Sequence, residues 1–137
     1  MANNITFTDN SIQVKAAIDA ACEAFLNEAA GELEAAIKRN SRVDTGQTRG
    51  SYEYQVDMGA KEAVIGSNYE NAIWEEFGTG EYALEGNGRK GGWVYEDTKG
   101  VKHFTRGKSP NRPMYNAFAS EKSKIIQMAE EQLKGLN

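Results

Sequence analysis

The chain is poor in the residues that build crosslinks and metal sites. Its 137 residues include one cysteine, one histidine and two prolines. The single cysteine, Cys22, excludes a disulfide within the chain and is typical of a protein from a reducing cytoplasm. One histidine, His103, and one distant cysteine cannot supply the four ligands of a tetrahedral zinc site. We therefore expect no metal and no covalent crosslink.

Long apolar runs are also absent. No window approaches the roughly 18 consecutive apolar residues of a membrane-spanning helix. The amino terminus, Met-Ala-Asn-Asn-Ile-Thr-Phe, is neither basic nor apolar, so a cleaved signal sequence is not expected. We expect no membrane partner. A length of 137 residues suits a single domain, spanning residues 1–137, with a core of its own.

Charge is distributed unevenly along the chain. The net charge is −4, yet residues 86–113 hold seven lysines and arginines and two acidic residues, so this segment carries +5 and the remainder −9. Such segregation favours contacts between identical molecules, basic loop against acidic flank, or local attraction of nucleic acid. A solvated loop with neither role is a third interpretation.

Apolar periodicity predicts a long helix at each end of the chain. From Asp9 or Ser11 to about Arg39, apolar residues recur every three or four positions, with Ser11 as the predicted N-cap. This helix would be about 40 Å long, so part of it is available to pack against a neighbour, although its apolar face is primarily the domain's own core face. Asn111 is the predicted cap of a second helix that ends near Leu133. The residues expected on the buried side of the second helix are Tyr115, Phe118, Ile125, Met128 or Ala129, and Leu133.

Alternating apolar residues predict short strands between the two helices. Segments 51–58 and 63–66 form one hairpin, 82–84 adds a brief strand, and 93–95 forms a second hairpin with 102–105. The predicted fold class is therefore α+β, with an antiparallel sheet of short strands packed against the long N-terminal helix and the C-terminal helix, and a short helix between strands.

The short helix belongs to residues 66–80, Gly-Ser-Asn-Tyr-Glu-Asn-Ala-Ile-Trp-Glu-Glu-Phe-Gly-Thr-Gly. A turn precedes it and glycines end it. Tyr69, Ile73 and Phe77 are spaced four apart and lie on one side of the helix. The aromatic residues here are too many to be buried in so small a domain. We interpret the segment as a contact element of an assembling protein.

The two adjacent acidic residues of this helix, Glu75 and Glu76, diverge by about 100° and cannot act together on one substrate bond. We expect them to pair with basic groups of the 86–112 segment, either in the same molecule or in a neighbour. Trp74 and Trp93 are candidate interface anchors, because tryptophan is enriched where interfaces are strongest, although a core position is an equal alternative for each.

Two glycine-containing patterns of nucleotide-binding enzymes occur in the sequence without the strand and helix that such sites require. Residues 86–91 have the spacing G-x-G-x-x-G but precede a strand signal rather than a helix. Gly107-Lys108-Ser109 copies the end of a phosphate-binding loop, yet Pro110 follows where a helix should begin. Nothing in the sequence orients His103 with a carboxylate. We expect no enzyme activity, no catalytic residue, no cofactor and no small-molecule substrate.

Several of these segments together resemble a known family. It is the family of tail-completion, or head–tail joining, proteins of long-tailed bacteriophages and prophages, often labelled minor tail proteins. The resemblance covers about Val43 to Phe118, with departures at Thr48 and Met114, where usual members have leucine and often phenylalanine. Its motifs are Asp44-Thr45-Gly46 followed by Arg49 and Ser51, Glu-Glu-Phe-Gly-Thr-Gly at 75–80, Gly-Asn-Gly-Arg-Lys-Gly-Gly-Trp at 86–93, and the proline-flanked Arg112.

The resemblance implies a non-enzymatic structural protein of the virion, assembled in the host bacterial cytoplasm. It implies a ring, expected to be a hexamer, that completes the tail and docks it to the head connector, while isolated subunits can remain monomeric. The implied partners are other copies, tail-tube and head-connector proteins, and DNA in the ring lumen. We expect a flexible glycine-rich loop at about 80–92. The expected interface residues are Trp74, Glu75, Glu76, Phe77, Arg89, Lys90, Trp93 and Arg112.

The alternative is a nucleic-acid-binding module that uses the basic 86–112 segment. Trp93, Tyr95 and Phe104 would then be stacking faces for bases. The acidic net charge argues against this function, because sequence-independent affinity comes from neutralising phosphates. Retention on single- and double-stranded DNA at two salt concentrations separates the two hypotheses.

Overall fold

Along the chain, a long helix comes first and another comes last, and two short hairpins lie between them. The computed structural model describes residues 4–43 and 46–136. The elements are α1 (Ser11–Asn40), α2 (Gln47–Gly50), β1 (Tyr52–Asp57), β2 (Glu62–Ser67), α3 (Asn71–Phe77), a 3₁₀ turn (Gly80–Tyr82), β3 (Trp93–Glu96), β4 (Lys102–Thr105) and α4 (Pro113–Lys134). The predicted α+β class is confirmed. Asp44 and Thr45, part of the motif at 44–46, lie outside the described residues.

The helices α1 and α4 pack side by side in opposite directions. The side-chain amide of Asn40, at the end of α1, donates to the carbonyl of Pro113, at the start of α4. Further along α4, Lys124 lies 2.9 Å from Glu32 of α1. Small and branched side chains in the second half of α1 fill the contact, because alanine lets two helices approach closely. The buried residues of α1 are Ala29, Ala30, Leu33, Ala36 and Ile37.

The first half of α1 extends beyond this contact. Val14 and Ile18, expected on the core face, are exposed. That prediction was wrong for the first half, because α4 has 22 residues against the 30 of α1 and does not cover it. Ser11 is the first helical residue rather than the N-cap, and its N–H donates to the Asp9 carboxylate at 2.9 Å.

The first hairpin packs on α1 and completes the core. β1 and β2 are antiparallel, with Tyr52 opposite Ser67 and Asp57 opposite Glu62. Tyr52 is 1% exposed and packs with Ile37 of α1 and with alanines of α3 and α4. At the far end of the hairpin, Lys61 lies 2.6 Å from Asp19 of α1.

The strands form two separate two-stranded sheets rather than one. Among the described residues, β3 and β4 pair only with each other, with Trp93 opposite Thr105 and Tyr95 opposite His103. The strand predicted at 82–84 is absent there; a 3₁₀ turn at Gly80–Tyr82 occupies part of that segment. No helix within the described ranges 4–43 and 46–136 is long and apolar enough to cross a membrane.

Part of the predicted buried side of α4 is exposed. Pro113 and Ala117 are the buried residues of this helix. Tyr115, Phe118 and Leu133 are exposed, since the contact with α1 runs along the side that carries Ala117. This exposed apolar surface has no counterpart in the sequence-based prediction.

Candidate assembly surface

The short helix α3 has its charged side inside and its apolar side outside. Ala72, Glu75 and Glu76 are buried, with the two glutamates 5% and 8% exposed. Ile73, Trp74 and Phe77 are 54%, 44% and 42% exposed. Positions 72, 75 and 76 lie on one side of a helix and positions 73, 74 and 77 on the other. We call Ile73, Trp74 and Phe77 the α3 outer face.

The first buried carboxylate, Glu75, holds together three parts of the chain. One of its oxygens forms an ion pair with Lys108, and the other lies 3.4 Å from Nε of Arg42. Arg42 also donates to the carbonyl of Ser109 at 2.7 Å. The predicted pairing of Glu75 with a base of the 86–112 segment is therefore confirmed, within the same molecule.

The second buried carboxylate, Glu76, caps α4. Its two oxygens accept the backbone N–H groups of Met114 and Tyr115, each at 3.0 Å. A helix start leaves its first N–H groups without intrahelical partners, and its dipole favours a negative charge. Glu76 therefore pairs with a helix terminus instead of the predicted basic side chain.

Asn111, the predicted N-cap of the second long helix, does not occupy the cap position of α4. The residue before the helix is Arg112, in the left-handed region at φ 54°. Asn111 instead joins two helix ends: its N–H donates to the Glu75 carbonyl at 2.8 Å and its side-chain amide to the Asn40 carbonyl at 2.8 Å. The guanidinium of Arg112 lies 3.9 Å from the centre of the Tyr115 ring. Arg112 is half-buried and thus belongs to the junction of α3 and α4.

The chain after α3 pairs with the segment before α4. The N–H of Thr79 donates to the Lys108 carbonyl, and that of Glu81 to the Arg106 carbonyl, both at 2.9 Å. Gly78 ends the helix with φ 74°, as predicted from the glycine stop. The two segments fix the orientation of the α3 outer face relative to α4.

The glycine-rich loop folds back on this pairing. A Cβ at Gly88 would lie 2.0 Å from the carbonyl oxygen of Gly80, so only glycine permits the approach. Glu81 accepts the N–H of Gly91 at 3.1 Å and lies 3.6 Å from Arg106. The predicted flexibility of the loop at 80–92 stays a prediction.

Basic and aromatic side chains meet at the end of this loop. The guanidinium of Arg89 lies 5.5 Å from the centre of the Trp93 ring. Trp93 is half-buried, whereas Trp74 is exposed. Within the described part of the chain, Lys90 is exposed and no ion pair involves it.

The aromatic residues proposed as stacking faces do not share one surface. In the register of the second hairpin, Trp93 and Tyr95 alternate with Val94, and Phe104 is opposite Val94. Trp93 and Tyr95 thus lie on one face and Phe104 on the other. The hairpin does not offer the single three-ring platform that the nucleic-acid hypothesis needs.

Sequence reasoning missed a carboxylate partner of His103. The ring Nε2 lies 2.8 Å from Oδ2 of Asp97, and the ring stacks on Tyr95 with centroids 5.3 Å apart. The bond with His103, followed by the N–H of Val101 and then of Lys99, holds the pKa of Asp97 below its ordinary value. Asp97 lies between the predicted strands 93–95 and 102–105, and its spacing from His103 was the available sequence signal.

A cleft of about 680 Å³ lies beside α3. Trp74 and Tyr69 contribute to its wall, together with Arg42, Glu75 and Lys108. Arg42 and Lys108 each form an ion pair with Glu75. No group of three or more metal-binding side chains occurs among residues 4–43 and 46–136.

Comparison with known proteins identifies the family. The model described as "Bacteriophage HK97-gp10, putative tail-component" matches residues 6–78, which span α1 through α3. Neither the curated proteins nor the solved structures gave a match. The match covers more than half of the chain and includes the α3 outer face. The chain therefore belongs to the HK97-gp10-like family and is a structural tail component of a phage virion that associates with other phage tail and head proteins.

Proposed function

We propose that this protein forms a ring at the head-proximal end of the tail, where it completes the tail and docks it to the head connector. A single domain carries this function, and the ring is a hexamer of identical subunits. The observation that carries the proposal is the reversed polarity of α3, whose glutamates are buried while its outer face is exposed.

An exposed apolar helix face is costly unless a partner covers it. Burying one large apolar side chain contributes about 1.5–3 kcal/mol. Trp74 and Phe77 lie three positions apart on the α3 outer face, and the backbone N–H of Leu84, itself exposed, donates to the Phe77 carbonyl. Contiguous apolar patches of this kind mark interaction sites. Together with the tail-component family, this patch favours a contact with another virion subunit.

The distribution of surface charge favours a head-to-tail arrangement of the copies. Arg89 and Lys90 are exposed and lie shortly before β3 in the chain. Exposed acidic residues lie on the long helix α1, among them Glu23 and Glu28. A basic surface on one copy that meets an acidic surface on the next is a head-to-tail contact, and such contacts close into a ring when the rotation permits.

The eight expected interface residues divide into two groups in this proposal. Trp74, Phe77, Arg89, Lys90 and Trp93 contact the partner directly. Glu75, Glu76 and Arg112 fix α3 from within, because their side chains are engaged in the subunit itself. The loop adjusts on docking around Gly86 and Gly91, whose α-carbons border open space.

The experiment is head–tail joining in cells that produce the phage with a variant chain. Trp74→Ser combined with Phe77→Ser should leave tails and filled heads unjoined in negative-stain images. Phe104→Ser, also on an exposed aromatic residue, is the matched control and should join normally. Normal joining by a folded Trp74→Ser/Phe77→Ser variant would contradict the proposal.

A further inference from the structure

Two of the apolar surfaces outside the proposed α3 contact complement each other. The first is the segment 4–10 before α1, which we call the N-terminal arm; its Ile5 and Phe7 are 94% and 88% exposed. The second is an open groove of about 510 Å³ between the long helices, which we call the α1–α4 groove. It is lined by Leu33, Tyr115, Phe118, Lys122, Ile125 and Ile126, among others.

The arm cannot reach the groove of its own molecule. Ser11 and Leu33, the groove residue on α1, are separated by 22 helical positions, which is about 33 Å. Ile5 lies six residues before Ser11, and an extended chain of that length spans about 20 Å. Because α1 is a continuous helix, it keeps the two surfaces apart. Any arm that fills the groove must come from another molecule.

The arm and the groove have matching chemistry. In an extended segment Ile5, Phe7 and Asp9 point to the same side. The groove offers apolar side chains with one cation, Lys122, at its edge, and no ion pair engages Lys122 within residues 4–43 and 46–136. The N–H of Ser11 holds the pKa of Asp9 below its ordinary value, so Asp9 is anionic at neutral pH.

We propose that the N-terminal arm of one copy lies in the α1–α4 groove of the next copy, with Phe7 among Phe118 and Ile126 and Asp9 next to Lys122. This inference rests on the proposed ring and names one of its subunit contacts. The contact is head-to-tail, because each copy contributes its arm on one side and its groove on the other. A repeated contact of this kind closes a ring when the rotation between neighbouring copies permits.

Disulfide trapping tests the proposed pairing directly. In a Cys22→Ser background, the Phe7→Cys/Phe118→Cys variant should form a ladder of covalent multimers on oxidation, in purified protein at high concentration and in isolated tails. A disulfide requires the two α-carbons to lie within about 7 Å. The control Phe7→Cys/Val64→Cys places the second thiol on an exposed residue of β2 and should give no ladder.

Complementary variants test the direction of the contact. Phe7→Asp damages the arm and Phe118→Asp damages the groove, so neither variant alone should assemble. Mixed in equal amounts, they retain one intact arm and one intact groove and should stop at dimers in sedimentation velocity. Ile126→Asp is a second groove variant, and the melting curve of each variant establishes that it is folded.

The outcomes separate this inference from the ring itself. Rings of wild-type protein without a disulfide ladder, or variants that assemble normally, would overturn the arm–groove contact and leave the ring standing. A ladder absent between copies but present with a tail-tube subunit carrying a cysteine would assign the groove to that partner. If wild-type protein forms no ring, either in solution or in tails, both proposals fail.

Discussion

Glu76 in the short helix α3 accepts the backbone N–H of Met114 at the first turn of α4, at 3.0 Å. The same carboxylate accepts the next N–H, that of Tyr115. One side chain thus accepts two of the backbone N–H groups that have no intrahelical acceptor at the start of this 22-residue helix. This link determines which side of α3 faces the interior.

Removal of this cap should destabilise the whole domain. In Glu76→Ala, two N–H groups lose their acceptor in a half-buried site, and we expect a loss of about 1–3 kcal/mol in the free energy of unfolding. Glu76→Gln keeps one acceptor oxygen and should lose less. Urea unfolding measures both variants. Glu130→Ala, on an exposed position of α4, is the control and should change little.

The cap also predicts an effect on assembly. Because Glu76 orients α3, a folded Glu76→Gln protein should present the α3 outer face less precisely, and head–tail joining should fall while Glu130→Ala joins normally. Equal joining by both variants would show that the cap acts on stability alone.

The effects of substitutions at Glu75 and Lys108 on the free energy of unfolding should be strongly coupled. Lys108→Met leaves a carboxylate that is 5% exposed with only Arg42 nearby, and we expect a loss of about 1–3 kcal/mol. Glu75→Gln combined with Lys108→Met removes the unpaired charge and should recover part of this loss. A double-mutant cycle by urea unfolding measures the coupling. Additive losses would mean that the pair contributes nothing beyond its separate parts.

The regular elements were predictable from the sequence, whereas the orientation of α3 was not. Helix α1 and both hairpins follow from local apolar spacing and turn residues. The sequence places Trp74, Glu75, Glu76 and Phe77 together among the expected interface residues and does not separate the buried side of α3 from the exposed side. The structure turns Ile73 and Phe77 outward, since Glu75 and Glu76 find partners in the distant segment that leads into α4.

The length of α1 indicated that part of it is available to pack against a neighbour, but not which half is exposed, and the α1–α4 groove was not predicted. Both depend on where α4 ends relative to α1, and periodicity gives the side of a helix but not how far its partner extends. Trp74 is exposed, and its part in an interface stays a prediction, whereas the position of Arg112 against the Tyr115 ring required the fold.

The close approach of Gly88 to Gly80 should make position 88 sensitive to a single methyl group. In Gly88→Ala the Cβ would lie 2.0 Å from a carbonyl oxygen, so the loop must detach from the segment after α3. We expect faster tryptic cleavage after Arg89 and Lys90 and a lower melting temperature. Gly50→Ala is the matched control, because an added Cβ there would contact no neighbouring group within 4 Å. Unchanged cleavage in Gly88→Ala would show that the loop is already detached in solution.

The Asp97–His103 contact predicts an acid-sensitive second hairpin. Its bonds hold the pKa of Asp97 below the ordinary value in the folded state, with His103 the largest cause. A lowered folded-state pKa means that the stabilisation is fully present above the ordinary value, about 4, and is lost as pH falls through the folded-state pKa. The hairpin should therefore loosen below about pH 4, which Trp93 fluorescence in a Trp74→Phe background reports.

The variant Asp97→Asn tests whether this carboxylate is the cause. Asparagine keeps an oxygen that can accept the Val101 and Lys99 N–H groups but does not ionise, so the fluorescence change below about pH 4 should disappear. Asp57→Asn is the control, because Asp57 accepts N–H groups in the turn of the first hairpin and does not contact His103. A Trp93 transition that persists in Asp97→Asn and is lost in Asp57→Asn would place the acid-sensitive group in the first hairpin instead of the second.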